Sequence, residues 1–347
     1  MSLQQALFTI GMVVSSATLA LTQTGCSRTG SPTSGTVFTA DEEGKAISVV
    51  NPETGQVETT GIGISPHNVQ ASSDGRTLFA VGSPMVAGQA MGDGMAGRGR
   101  LLVFDATRVS RGPTADIEVG REPTHVIVDS QGARAFVPNA GDNAISVVDL
   151  QKRQVIKSIA VGKAPHGLRM SPDGQMIYVA NTDDGTVSVV SVSGLAEVAR
   201  IPVGKGPVQV GFTPDGKRNY VSLRDENSTA VIDTASRRVI AKIPVGPGPI
   251  QVFAAPNGRE VYVANQGTEA APGNTMSIID TANQKVTSEV VTGAGAHGVV
   301  VSGSGDRVFV TNVFANTVSV IDPVNRKVLR NITVGAGPGG VTYAATK

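Results

Sequence analysis

From residue 36 onward the chain alternates short apolar runs, rich in Val, Ile and Thr, with clusters of Gly, Pro, Asp and Asn. Runs of five or six residues are too short for helices, and their β-branched content favours strands. In the cleanest stretch the runs fall at 167–171, 176–181, 186–191 and 197–203; we label them a to d. Pro172-Asp173-Gly174 lies between a and b, where Pro presets φ and Gly supplies the positive φ of a tight reversal. The same punctuation returns as Thr-Pro-Asp-Gly at 213–216 and Ala-Pro-Asn-Gly at 255–258, so units open at His166, Val208 and Ile250, 42 residues apart. Further units open at His67, Thr124, His297 and Gly339. A fixed period near 40 residues marks a propeller or a linear array, and four antiparallel strands per unit make one blade.

Counting strand b gives seven, near 37–40, 77–82, 135–139, 176–181, 219–223, 261–265 and 308–312; strand a also occurs seven times. The pattern starts on a strand b and finishes on a strand a at 340–345. The expected fold is therefore all-β: a seven-bladed β-propeller of four-stranded antiparallel blades, the last blade closed by both termini so that no sheet edge is left free.

Composition then narrows the function. The 42 Gly and 19 Pro belong largely to the repeat, and 29 basic against 28 acidic residues give a net charge of +1. That balance excludes the strongly basic surface of a non-specific nucleic-acid binder. The single cysteine, Cys26, excludes an internal disulfide and thiolate-clustered zinc or iron–sulfur sites. Residues 6–21 are uncharged and apolar or small, as in the core of an export signal, and Cys26 follows Gly25 ahead of a Ser/Thr/Gly/Pro-rich stretch. The expected organisation is a signal peptide of lipoprotein type at 1–26 with Cys26 as lipid anchor, a flexible linker at 27–35 and the propeller at 36–347. A plain cleaved signal with an incidental cysteine stands beside that reading, because Gln23 and the lack of Lys or Arg before Arg28 depart from the lipoprotein pattern. The expected location is periplasm or cell surface, with membrane contact only through the anchor.

Tyr-Val-Ala-Asn at 178–181 and 262–265, Phe-Val-Thr-Asn at 309–312, Asn-Thr-Val-Ser-Val-Ile-Asp at 316–322 and Val-Gly-x-x-Pro-His-Gly at 161–167 resemble the YVTN β-propeller repeat family over residues 36–347. The resemblance implies a seven-bladed propeller, commonly exported or surface-attached, and more distantly similar to the haem-binding propeller of periplasmic nitrite reductases. It does not imply one activity, since such scaffolds carry many.

Alternating strands put all d–a and b–c connections on one face of the disc and all a–b and c–d turns on the other. The second face carries repetitive turns. The first carries the insertions, at 83–100 and 266–274, and all four histidines at the start of strand a. His67, His166 and His297 share one repeat slot and His125 lies one residue later. Three imidazoles there suit copper, zinc or iron, and Met85, Met91 and Met95 would favour copper(I). The metal set expected from the slot is His67, His166 and His297. Against it, the slot is in phase with the aliphatic stripe Val69, Leu168 and Val299, whereas His125 shares the polar parity of Gln209 and Gln251. Arg121, Lys163, Lys205 and Arg224 form a candidate basic arc on the same face for an anionic ligand, set against Asp183, Asp184, Asp225 and Glu226 in the same loops. No nucleophile elbow, phosphate loop or zinc-protease helix is present in the sequence.

The sequence thus predicts a monomeric cell-envelope module that binds a small-molecule or protein ligand at the channel mouth. The alternative is a metal-dependent oxidoreductase or lyase using the histidines with a copper or zinc ion.

Overall fold

In the computed structural model the described residues are 35–84 and 97–345. They form seven four-stranded antiparallel sheets. Blades 1 to 6 run in chain order with inner strands Ile64–Ala71, Ile127–Val128, Pro165–Met170, Pro207–Phe212, Pro249–Ala254 and Ala296–Val301. Blade 7 takes its inner strand, Pro338–Ala345, from the end of the chain and its outer three, Gly35–Asp41, Ala46–Val50 and Val57–Gly61, from the beginning. The expected closure by both termini is present: Val37 faces Tyr343 and Thr39 faces Val341 across the joint. The signal peptide, Cys26, the linker up to residue 34 and Met85, Met91 and Met95 lie outside the described residues.

The core is divided among the gaps between blades. Each of seven hydrophobic clusters draws on two neighbouring blades, as Phe38, Ile47, Leu78 and Phe104 do between blades 7 and 1, and Phe136, Ile145, Leu168 and Ile177 between blades 2 and 3. Burial of such side chains is worth about 1.5–3 kcal/mol each, so every gap must be filled for the ring to hold. The outermost strands alternate exposed and half-buried positions, as in Arg238–Pro244.

One polar motif recurs at the top of the blades and explains two sequence signatures together. Asn139, Asn181, Asn265 and Asn312 end strand b and donate to Ser146, Ser188, Ser277 and Ser319 on strand c at 2.8–2.9 Å. Their amides pack against a glycine of the d–a loop, which follows Val in three of these blades and Thr292 in the fourth. A Cβ on Gly162 would stand 2.5 Å from the Asn181 side chain, and one on Gly246 2.5 Å from that of Asn265. The terminal Asn and the loop Gly are thus two halves of one contact. Asn181, Asn265 and Asn312 also donate to Thr186, Thr275 and Thr317 on strand c, each at 2.9 Å. In blade 7 the same place is held by Asp41, which accepts from Ser48 and Thr39 at 2.6 and 2.7 Å.

The insertion at 266–274 is not an open loop. Strands Glu260–Gly267 and Pro272–Asp280 extend into it and leave only the turn 268–271 between them.

Candidate metal centre at the channel mouth

The inner strands do not alternate regularly where they start. Pro165 pairs with Asn181 but Leu168 with Val179, so His166 and Gly167 together face the single residue Ala180. The register slips in the same way between Pro66 and Asn68 and between Ala296 and Val299. In blade 2, Pro123 bridges Asn139 and Ile127 pairs with Phe136, so three residues, His125 among them, face two. One extra residue re-aims the side chain it carries. Parity with Val69, Leu168 and Val299 therefore does not place the histidines between blades: His67, His125 and His166 meet around the channel.

One ring nitrogen from each of these three lies within 4.8 Å of the other two. The Nε2 atoms of His67 and His166 are 3.1 Å apart, and ring centroids are separated by 5.0–5.9 Å at steep angles. Tetrahedral bonds of 2.0–2.1 Å to one ion place ligand nitrogens about 3.3 Å apart, so small shifts would bring the rings to a common ion. The rings that lie together are those of His67, His125 and His166, where the repeat slot suggests His67, His166 and His297. His125 is the third ring, because blades 1, 2 and 3 are consecutive, whereas blade 7 separates His297 from His67. His297 directs Nδ1 to the Gly339 carbonyl at 3.0 Å, as His166 does to that of Val208.

Partners behind the rings fix their orientation. His166 Nδ1 donates to the Val208 carbonyl at 3.2 Å, which leaves its Nε2 lone pair facing His67. Thr124 donates to the His166 carbonyl at 2.8 Å and ties blade 2 to blade 3 at this level. Glu42, just past strand b of blade 7, lies 3.4 Å from His67 Nδ1. Behind His125 stands the Gln209 amide, 3.5 Å from Nδ1. Gln209 can cross blade 3 because Gly167 has no side chain; a Cβ there would meet the Val208 carbonyl oxygen at 2.6 Å.

Charge separates the rings. Burial, and then the charge of the neighbouring rings, pushes His125 and His166 well below the ordinary imidazole range, and burial with His67 lowers His297 to about 4. Burial acts on His67 in the same direction, but the Glu42 carboxylate outweighs it and raises that ring. Burial likewise works against the Glu42 charge, and contact with His67 outweighs it, so Glu42 stays low. With protons on both its nitrogens, His67 bonds Glu42 on one side and His166 on the other. Two rings are thus held neutral, with lone pairs that could ligate an ion, and His67 would have to give up its inner proton to join them.

In the candidate basic arc the two arginines are paired with acids. Arg121 pairs with Asp142 at 2.7 Å and Arg224 with Asp225 at 2.8 Å. The backbone N–H groups of Lys163 and Lys205 are bonded by Asp184 and Glu226 from the adjoining b–c turns, at 3.0 and 2.7 Å. Of these cations, Arg224 lies near enough to His166 for its charge to help lower that ring. The residues that sequence reasoning did not assign to the site are Glu42 and Gln209. Glu42 was visible only as an acid beside Asp41, the position where other blades carry Asn, and Gln209 only as the polar partner in parity with His125.

The model of the cytochrome D1 haem domain matches residues 33–258. Among solved structures, the chain is similar to Kuenenia stuttgartiensis hydrazine synthase, with a TM-score of 0.68 and 22% identity over 81% of this chain and 95% of that one. It is similar also to a functionally unknown protein from Desulfotomaculum acetoxidans, at TM-score 0.74 and 14% identity over 90% and 100% of the two chains. A putative 6-phosphogluconolactonase from Bacteroides uniformis gives TM-score 0.71 and 16% identity over 90% and 100%. At such identities the likeness is one of fold. No curated protein matches the sequence.

Proposed function

The chain belongs to the cytochrome D1 haem domain family, and from that premise we propose that this member binds one first-row transition-metal ion, zinc or copper, at the channel mouth through His67, His125 and His166. The observation that carries the proposal is the convergence of three ring nitrogens within 4.8 Å, one of them backed by a carboxylate and one by a backbone carbonyl. Outer partners of this kind set the tautomer and basicity of ligating histidines. The same geometry does not fit a haem ligated by this cluster: with His67 and His166 in contact at 3.1 Å, a macrocycle on either nitrogen would need the plane that the other rings occupy.

His67, His125 and His166 would hold the ion, which would supply Lewis acidity to water or a small ligand reaching it. The protein's own contribution is to hold the rings by bulged strands, to keep two of them neutral and to place Glu42 where it can take up the charge of His67. The module is thus a binding propeller whose ligand is the ion and what reaches it from the d–a and b–c face. In keeping with the leader-like segment we place it outside the cytoplasm, anchored through Cys26.

Metal analysis of the tag-free protein tests the reading. We expect close to one ion per chain after reconstitution, loss of stoichiometric binding in His166→Ala, and an affinity lowered about 10–100-fold in Glu42→Gln. A folded wild-type protein that takes up no ion on reloading would end it.

A further inference from the structure

Three residues beyond the bulged positions, the inner strands present a second ring to the channel, which includes Gln70, Ile127, Arg169, Phe253 and Thr342. These residues line a cavity of about 880 Å³ at the opposite mouth, among the a–b turns. A volume of that order accommodates a small organic molecule.

Arg169 is the unusual member. In blade 4 the equivalent position is Gly211, so the guanidinium can lean across and stack on Phe253, 5.9 Å from the ring centroid. One of its donors bonds the Leu168 carbonyl at 3.2 Å, which leaves most of its five N–H groups for something else. Arg121, Arg134 and Arg224 each pair with a carboxylate, but no ion pair forms at Arg169 among the described residues. Burial unopposed by any acid lowers it to about 10. The acids at the cavity rim are engaged elsewhere: Asp129 with Arg134 at 3.1 Å, and Asp74 with the Ser72 hydroxyl and the Arg76 backbone.

We infer that this cavity is a second binding site, for a small organic monocarboxylate whose charged end is held by Arg169 and whose apolar body lies against Phe253 and Ile127. A planar guanidinium offers a carboxylate two parallel bonds. Phe253, Ile127 and Val300 supply an apolar wall that inorganic anions cannot use, and Asp74 and Asp129 at the rim disfavour multiply charged ligands.

Calorimetric titration of the full chain with benzoate, benzamide and inorganic phosphate tests this. Benzoate should bind saturably in the millimolar range or tighter, and benzamide, its neutral isostere, at least about tenfold more weakly, as expected for loss of a charge-assisted contact. Arg169→Gln should abolish the preference for benzoate, while Arg169→Lys keeps part of it. Equal binding of benzoate and benzamide, no saturable benzoate binding, tighter binding of phosphate than of benzoate, or undiminished benzoate binding by folded Arg169→Gln would each overturn the inference. The comparison of the three ligands uses the wild-type protein alone and so stands even if Arg169→Gln does not fold. His166→Ala should bind benzoate as wild type does, which separates this site from the metal centre.

Discussion

At the loop end of the channel, imidazoles from consecutive blades gather beside a carboxylate; three residues further along the same strands, Arg169 faces an open cavity and forms no ion pair among the described residues. Both ends rest on identical architecture, so the difference lies in local departures from the repeat. At the first end an extra residue in each inner strand turns side chains inward and lets three of them touch. At the second, regular pleating resumes and a missing side chain, that of Gly211, gives one long cation room to cross. A seven-fold scaffold thus acquires chemistry where it breaks its own symmetry, by insertion at one depth and by omission at another.

The most severe way to break the comparison is to remove the wall that both ends share. Truncation after Gly337 deletes the inner strand of blade 7, exposes the partners of Val341 and Ala344 in two inter-blade clusters, and should abolish the cooperative thermal transition followed by circular dichroism; an unchanged melting curve would refute ring closure by that strand. Next in size is Gly167→Ala. The new methyl group meets the Val208 carbonyl and displaces Gln209 from His125, at a cost of about 1–3 kcal/mol, so the melting temperature should fall and metal affinity should weaken while benzoate binding at the far end persists.

Asp41→Asn sharpens the comparison from the loop end. Burial, against the hydrogen bonds of Ser48, Thr39 and Gly335, raises the Asp41 carboxyl to about 6. A folded value above the unfolded one means that the folded state holds the proton more tightly. The wild type should therefore lose stability as pH rises from about 4 to 6 and lose no more above that. Asn, the residue used in four other blades, should remove this dependence and stabilise the protein at pH 7 by about 1–3 kcal/mol, measurable as a higher and flatter melting temperature across that range. The smallest effect should come from Arg224→Ala: an exposed pair with Asp225 is worth about 0–1 kcal/mol, and neither metal nor benzoate binding should change by more than about twofold. A larger loss of either would restore the basic arc as a ligand site.

The fold was legible because its information is periodic. Asp-Gly turns, strand-b Asn and Val-Gly steps recur at fixed offsets, and the phase mismatch between first and last strand already implied the joint between Thr39 and Val341. The site was half legible. The histidine slot and its face could be read by counting, yet counting by slot grouped His297 with His67 and His166, while contact is decided by which blades are neighbours and by the bulge that alternation conceals. His125 sits one position out of the slot and still arrives, since the extra residue moves it. Arg169 escaped because nothing in its own unit marks it; its significance depends on Gly211, 42 residues away, and on the absence of an acid, which only three dimensions reveal.

Blade 7 gives the loop-end site an order of assembly. Glu42 is made early, just past the strand Gly35–Asp41, whose inner neighbour, Pro338–Ala345, is made almost 300 residues later. During biosynthesis the three histidines can be present for some 170 residues of further elongation, from His166 onward, before the carboxylate that holds His67 is locked in place. If the proposed ion binds there, full-strength loading would wait until Pro338–Ala345 has been made, and molecules lacking that strand would hold the ion weakly or not at all.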